Sequence, residues 1–336
     1  MKILKKIFLL VFICLVSLSS FSQIFEVPIK NSYLTSSFGE FRDTGNRSHF
    51  HLGIDFSTFF RENINVHSGA AGYVYKIWSN DIVYGNTLFL KHNDVDLITV
   101  YAHLNTYNEN INFYYDIISK EFGNNLKEIN FPENAVKISR DEVIALSGNT
   151  GASFAPHLHF EVREETEQGE IVRNALEYIE YTESRAKTLE LVQIRIGNQY
   201  FEINSEGTTN IEYTGSLPLI EVRVRERLGN NTVILPKKVS LFIENSLVYQ
   251  IDFSKINYNE IYLANEVFAN GSTDSIYWLK LYSKNFITPI KSDNWIRYSS
   301  QDLTAKIGYI ELEDFWGSSK RYNIVFSKKW FKKFTF

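Results

Sequence analysis

The sequence predicts a mainly β protein: an antiparallel-sheet domain carrying one inserted helix, followed by an immunoglobulin-like β-sandwich. Three observations lead there. Short runs that alternate apolar and polar residues recur along the chain, glycines punctuate them, and only one segment has a helical period. The 336 residues suit two cores, since single cores stop growing near about 250 residues. At 44% hydrophobic and 22% charged, the chain has the composition of a folded globular protein. Its 35 basic and 39 acidic residues leave a net charge of -4, without the broad basic field expected of a nucleic-acid binder.

The elements follow in order. Residues 1–22 begin with Lys2, Lys5 and Lys6, run apolar from Ile7 to about Leu18, and end on Ser19, Ser20 and Ser22. That is the pattern of a secretory signal peptide, and its apolar run is short of the roughly 20 residues of a membrane span. An uncleaved anchor is the competing reading. The one cysteine, Cys14, lies inside this run, so no disulfide can form within the chain, and bulky Phe12 and Ile13 argue against lipid modification. Cleavage near Ser22 leaves a cysteine-free, exported protein of the periplasm or cell envelope. The first domain is read over 23–184, with strands over 72–77, 87–91, 97–101, 142–147 and 158–163. Ile111, Tyr114, Tyr115, Ile118 and Phe122 recur at helical spacing, which predicts an amphipathic helix over 110–122, stopped by Gly123 and followed by a loop to Glu133. The second domain is read over 185–336, with strands over 189–196, 219–224, 239–243, 247–251, 276–282, 307–312 and 322–326. The basic and aromatic tail from Lys328 to Phe336 is read as an edge strand guarded by lysines, in preference to a surface for anionic polymer or headgroups.

All seven histidines fall before residue 160, so any imidazole or metal chemistry belongs to the first half. In Pro156-His157-Leu158-His159-Phe160-Glu161, strand alternation puts His157, His159, Glu161 and Arg163 on one face and Leu158, Phe160 and Val162 on the other. Two imidazoles at i and i+2 are spaced to share a metal site. His51 and Asp55 are four apart, but Gly53 and the lack of a helical stripe argue for an extended segment with a bend, in which Gly53 lets the backbone approach closely. An imidazole, a carboxylate and a second imidazole make the open three-ligand set of catalytic zinc. Each piece alone is weak, and His49, His67 and His92 read as ordinary structural histidines.

Together the motifs resemble the lysostaphin-type, or LytM-like, zinc endopeptidases that cut peptidoglycan cross-links. The resemblance covers about Pro28 to Tyr181. It rests on Ser36-Ser37-Phe38-Gly39-Glu40, His51-Leu52-Gly53-Ile54-Asp55, Gly69-Ala70-Ala71-Gly72-Tyr73-Val74, Gly85-Asn86-Thr87, Tyr101-Ala102-His103-Leu104, Ser147-Gly148-Asn149-Thr150-Gly151 and His157-Leu158-His159-Phe160-Glu161. It implies that His51, Asp55 and His159 bind zinc and that His103 and His157 are the catalytic histidines assisting attack by water. Glu161 is a candidate second-layer partner of a ligand histidine, with a solvated strand residue as the alternative. No HExxH motif supplies a glutamate base. Two features depart from the family pattern: Ala155 stands where glycine is usual, and the connection from Leu104 to Val136 is long. The implied partners are peptidoglycan stem peptides, with direct cross-links favoured over glycine bridges because no lysostaphin-like wall-targeting module appears. The competing function is a non-catalytic activator or scaffold for other wall hydrolases, which the complete ligand set disfavours. The second domain is read as a module for wall or envelope-protein partners, or as a cover for the back of the first.

Overall fold

Glycine-broken alternation in the first half becomes one large sheet in the computed structural model, which describes residues 24–43, 47–122, 126–215, 218–229, 231–294 and 302–329. The signal-peptide pattern over 1–22 lies outside the described residues. Among those described, no helix is long and apolar enough to cross a membrane. The main path of the sheet runs through Leu34–Ser36, Ile54–Ser57, His157–Thr166, Leu97–Tyr107, Gly85–His92, Gly72–Asp81 and Lys137–Ile138, every neighbour antiparallel. Leu158, Phe160 and Val162 on one face are fully buried in the core, as alternation predicts. The opposite face is buried as well: Glu161 and Arg163 are sealed beside a small apolar cluster of Phe89, Ile98 and Val100.

The predicted helix spans Glu109–Phe122. Asn108 caps it, its side-chain oxygen accepting from the Ile111 N–H at 2.9 Å, which satisfies one of the unpaired amides of the first turn. Ile111 is buried, but Phe122 at the end of the expected stripe is exposed, as are Phe113 and Ile117. The loop predicted up to Glu133 holds a three-residue strand, Glu128–Asn130, paired with Gly72–Asp81. Three residues are too few for alternation to signal a strand.

The second half forms two sheets. One joins Gln199–Glu202, Lys187–Ile196, Ile220–Leu228 and Thr232–Ile234, with Tyr277–Lys280 pairing Ile220–Leu228. The other runs Thr208–Tyr213, Ser319–Lys328, Ile307–Glu313, Lys238–Ile243, Ser246–Asp252 and Ile290–Asp293. Lys187–Ile196 lies against Ile307–Glu313 and Ser319–Lys328, where the Tyr322 hydroxyl donates to the Leu189 carbonyl at 3.0 Å. Ser319–Lys328 is not an edge strand, because Thr208–Tyr213 pairs with its free side in parallel. This corrects the edge expected at Lys328, while 330–336 lie outside the described residues. A strand of the second half, Lys255–Asn257, also extends the first sheet by pairing with Gly169–Arg173.

Glu226 is fully buried within Ile220–Leu228, and neither carboxylate oxygen has a hydrogen-bond partner among the described residues. Burial and the nearby Asp314 raise its pKa to about 8. The folded state therefore holds a proton that the unfolded chain has released, so stability falls as pH rises from about 4.5 to about 8. In urea unfolding at pH 5 and pH 8, the native protein should lose about 2–4 kcal/mol more across this interval than a Glu226→Gln variant. Parallel losses would show that Glu226 is not the titrating group.

Candidate metal centre

Strand register begins the assembly. Asp55 lies opposite His159, and Ser57 opposite His157, while Ala102 lies opposite His159 from the other side. Directly opposed residues point to the same face. Asp55 and His159 thus share a face, with the small, buried Ala102 beside them on the third strand. By alternation, His103 should face the core. Instead it has φ of +60°, and the register skips between the Asn86–Leu104 and Leu88–Tyr101 pairs. This bulge turns the ring onto the polar face, where its centroid lies 4.6 Å from that of His157 and 5.9 Å from that of His159. A left-handed backbone costs a non-glycine residue about 1–3 kcal/mol, and such strain is found at functional sites.

Three donor atoms converge. His51 Nε2 lies 3.1 Å from Asp55 Oδ1 and 3.0 Å from His159 Nδ1, and His159 Nδ1 lies 3.1 Å from the same Asp55 oxygen. All three residues are buried. The outer nitrogens determine what these inner ones carry. His51 Nδ1 faces the Ser37 carbonyl at 2.9 Å, which can only accept, so the hydrogen sits on Nδ1. Burial lowers the pKa of His51, keeping it neutral with a lone pair on Nε2. His159 Nε2 faces Glu161 Oε1 at 2.8 Å and donates to it, leaving Nδ1 as the inward atom. Two imidazole lone pairs and a carboxylate oxygen therefore point at one another, an arrangement that needs positive charge between them.

Zinc suits this donor set of two imidazoles and a carboxylate. A tetrahedral ion with bonds of about 2.0–2.1 Å spaces its ligands about 3.3 Å apart, within a few tenths of the observed separations. Gly53 makes the approach feasible: a Cβ there would lie 2.6 Å from the His159 ring and 2.7 Å from the Phe160 carbonyl oxygen. The glycine clears space for the His159 ring, a more specific role than the general backbone approach expected of it. With no ion bound, a proton serves instead. Burial opposes the charge on His159, but hydrogen bonds to Asp55 and Glu161 overcome it and raise the pKa to about 9. Burial likewise works against the Asp55 charge, which the facing His51, His157 and His159 restore, holding its pKa well below the usual range.

The other two imidazoles are oriented in the same way. His103 Nδ1 donates to the Thr150 carbonyl at 2.8 Å, and His157 Nδ1 sits 2.9 Å from the Ala155 carbonyl, so each presents Nε2 toward the cluster. His157 Nε2 is 3.7 Å from Asp55 Oδ1. Burial, with the neighbouring His157 and His159, lowers His103 to about 3, so it stays neutral. Thr150 is held in turn by its hydroxyl, which accepts from Asn86 N–H at 2.9 Å and donates to the Leu104 carbonyl at 3.0 Å.

Glu161 is fully buried, so the solvated alternative for it fails. Burial alone would raise its pKa, yet Arg163 and His159 bring it down to about 2. Its other oxygen accepts from Arg163 Nε at 2.6 Å, and the Tyr84 hydroxyl donates to Oε1 at 2.8 Å. Sequence reasoning missed Tyr84, an isolated tyrosine in a turn with no motif around it. His49, His67 and His92 stay outside the cluster, hydrogen-bonded to the carbonyls of Arg47, Asp141 and Ala71. The centre opens into a cavity of about 620 Å³ that Tyr33, Phe60 and Phe154 line from the first half, and Ile261, Thr273 and Asp274 from the second.

No family model and no curated protein matches this chain. Among solved structures, it is similar to a zinc-containing peptidase from Vibrio cholerae, at 27% identity over 41% of this chain and 36% of that one, with a TM-score of 0.31. It is also similar to the catalytic domain of the antimicrobial peptidase lysostaphin from Staphylococcus simulans, at 26% identity over 39% of this chain and 80% of that one, TM-score 0.28. Against full lysostaphin the identity is 14%, covering 89% of this chain and 100% of that one, TM-score 0.34. The match thus spans about a third of the length of the Vibrio peptidase.

Because His159 is raised to about 9 without an ion, zinc uptake at pH 7 should release about one proton, and affinity should fall up to tenfold per pH unit as the pH drops below about 9. Calorimetry in buffers of different ionisation heat measures the release, and zero protons would refute this charge assignment. Gly53→Ala forces the His159 ring out of place and should lower bound zinc well below one ion per chain by elemental analysis; full occupancy would remove the steric argument.

Proposed function

We propose that this chain is a zinc-dependent endopeptidase of the lysostaphin, or LytM-like, type that hydrolyses peptide cross-links of peptidoglycan. The convergence of His51 Nε2, Asp55 Oδ1 and His159 Nδ1, with two more imidazoles aimed at the same point, carries the reading. It joins the sequence motifs to a donor set that suits zinc. Zinc held there would act as a Lewis acid on the scissile carbonyl and bring the pKa of a water toward about 7.

The chain's own residues supply the rest. His103 and His157 both offer Nε2 as proton acceptors, and their hydrogen-bonded Nδ1 atoms fix which nitrogen reacts. Neutral His103 orients the attacking water by accepting a hydrogen bond from it. His157, the more exposed of the two and 3.7 Å from Asp55, takes the water's proton at Nε2 and passes it to the leaving amine as the C–N bond breaks. Glu161 and Arg163 hold the His159 ring and exclude water behind it. The proposal includes a LytM-like domain over 23–184 with its inserted helix and a β-sandwich accessory domain over 185–336. The leader pattern supports export to the periplasm or envelope, where stem peptides are the substrate. An envelope-protein partner for the second half belongs to the same reading.

Defined muropeptides digested with the zinc-loaded protein should show new amino and carboxyl termini by mass spectrometry, and a chelator should abolish them. His103→Ala and His157→Ala should keep their zinc and lose about 10²-fold or more in kcat. A His159→Ala or Asp55→Ala protein that stays folded and fully active would end the proposal.

A further inference from the structure

Arg42 is the one arginine or lysine among the described residues lining the cavity of the metal centre, and the proposed function does not use it. Its side chain is 16% exposed, and NH2 comes within 4.0 Å of Asp55 Oδ2, the oxygen that does not join the three-donor cluster. That separation is too long for a hydrogen bond. NH1 is committed: it donates to Glu40 Oε2 at 2.9 Å and to the Phe41 carbonyl at 3.2 Å. Nε and NH2 have no acceptor within hydrogen-bond distance among the described residues. One edge of a planar five-donor group is therefore tied down and the other is offered to the cavity.

The tie is rigid. Glu40 is 1% exposed, and its second oxygen accepts from the Ser37 N–H at 2.7 Å and the Ser37 hydroxyl at 2.9 Å. The fully buried Tyr277 of the second half sits close to Glu40, and its hydroxyl donates to the Asp274 carbonyl at 2.8 Å. Asp274, Thr273 and Ser272 line the same cavity, so the second half both walls the cleft and braces the arginine.

We propose that Arg42 is a specificity residue whose free edge binds a carboxylate of the substrate on the amino acid that supplies the scissile nitrogen. The inference rests on the endopeptidase reading and deepens it. A guanidinium edge matches a carboxylate with two parallel hydrogen bonds, and a rigid, half-anchored one loses little entropy in making them. Its place beside Asp55, itself one of the converging donors, limits the bound group to the residue adjoining the reacting amide. Cross-links formed through the side-chain amine of a diamino acid keep such a free carboxyl. Glycine bridges carry none beside an internal amide.

Two synthetic cross-linked peptides test this, identical except that the residue on the amine side bears a free carboxylate in one and a carboxamide in the other. The zinc-loaded wild-type protein should cleave the acid with kcat/KM about 10- to 100-fold above the amide, mostly through KM. Arg42→Gln should lose that preference by slowing on the acid alone, with zinc content unchanged, and Arg42→Lys should recover part of it. Arg42→Lys also keeps a charge against Glu40 should the glutamine variant misfold. Equal losses on both peptides would make Arg42 a mere support for Asp55 and overturn the assignment. Calorimetric binding of the amine-side product, as acid and as amide, reads the contact without turnover. If neither peptide is cleaved but the acid product binds at least tenfold tighter to wild type and not to Arg42→Gln, the endopeptidase reading falls and the Arg42 assignment stands. Equal binding of the two products overturns the assignment whatever the activity.

Discussion

Two lone pairs and a carboxylate oxygen held within 3.1 Å of one another form the constraint on which the rest of this structure depends. Left to themselves they would repel, and rotation of either imidazole would relieve them. Neither ring can turn freely, because the outer nitrogen of each is already spent on a partner: the Ser37 carbonyl for His51 and the Glu161 carboxylate for His159. The protein therefore fixes the tautomers from behind and points three donors at one spot in front. A proton there serves one donor at a time. A divalent cation satisfies all three, so this geometry stores a preference for metal over proton.

Maintaining that preference explains the charges buried behind the centre. Isolated buried ion pairs seldom stabilise a fold, since desolvation offsets their attraction. The Glu161–Arg163 pair makes sense as part of a chain that runs from His159 through Glu161 to Arg163 and on to Glu170, with Tyr84 closing the side. No buried side-chain polar atom in that chain lacks a partner, which is the condition under which such networks specify a unique geometry. Strain at His103 follows the same economy. A left-handed histidine persists because Thr150 accepts its Nδ1–H, and Thr150 is itself fixed between Asn86 and Leu104.

The sequence made part of this legible. Alternation in His157–Thr166 put His159 and Glu161 on one face because that strand is long and its two faces differ in polarity. The strand Ile54–Ser57 was not readable as a strand, since all four of its residues are buried and no alternation marks them. His103 was legible only through its motif, because a bulge overturns the face that simple alternation assigns. Tyr84 and Arg42 had no local signal: their roles arise from residues about 77 and 13 positions away, Glu161 and Asp55, brought together by sheet pairing. The helix was read from its period, but the exposure of Phe122 was not, since period reports a face and says nothing of where the covering sheet ends.

The Ser37–Glu40 segment links the two halves of the chain through the centre. Ser37 gives its carbonyl to His51, and its hydroxyl, which donates to Glu40, accepts from the Leu235 N–H of the second half at 3.2 Å. Gly39 leaves room for Phe253, whose Cδ1 would lie 2.5 Å from a Cβ at that position. Glu40 meets Tyr277. Three of four consecutive residues thus touch the second half while the segment orients a metal-facing imidazole and a cavity-facing guanidinium. An appended binding module would leave the centre indifferent to its presence. Here the second half also adds the strand Lys255–Asn257 to the first sheet, so removing it would expose a sheet edge and loosen the carbonyl that sets the His51 tautomer. Both halves of the chain thus serve one centre, from two sides.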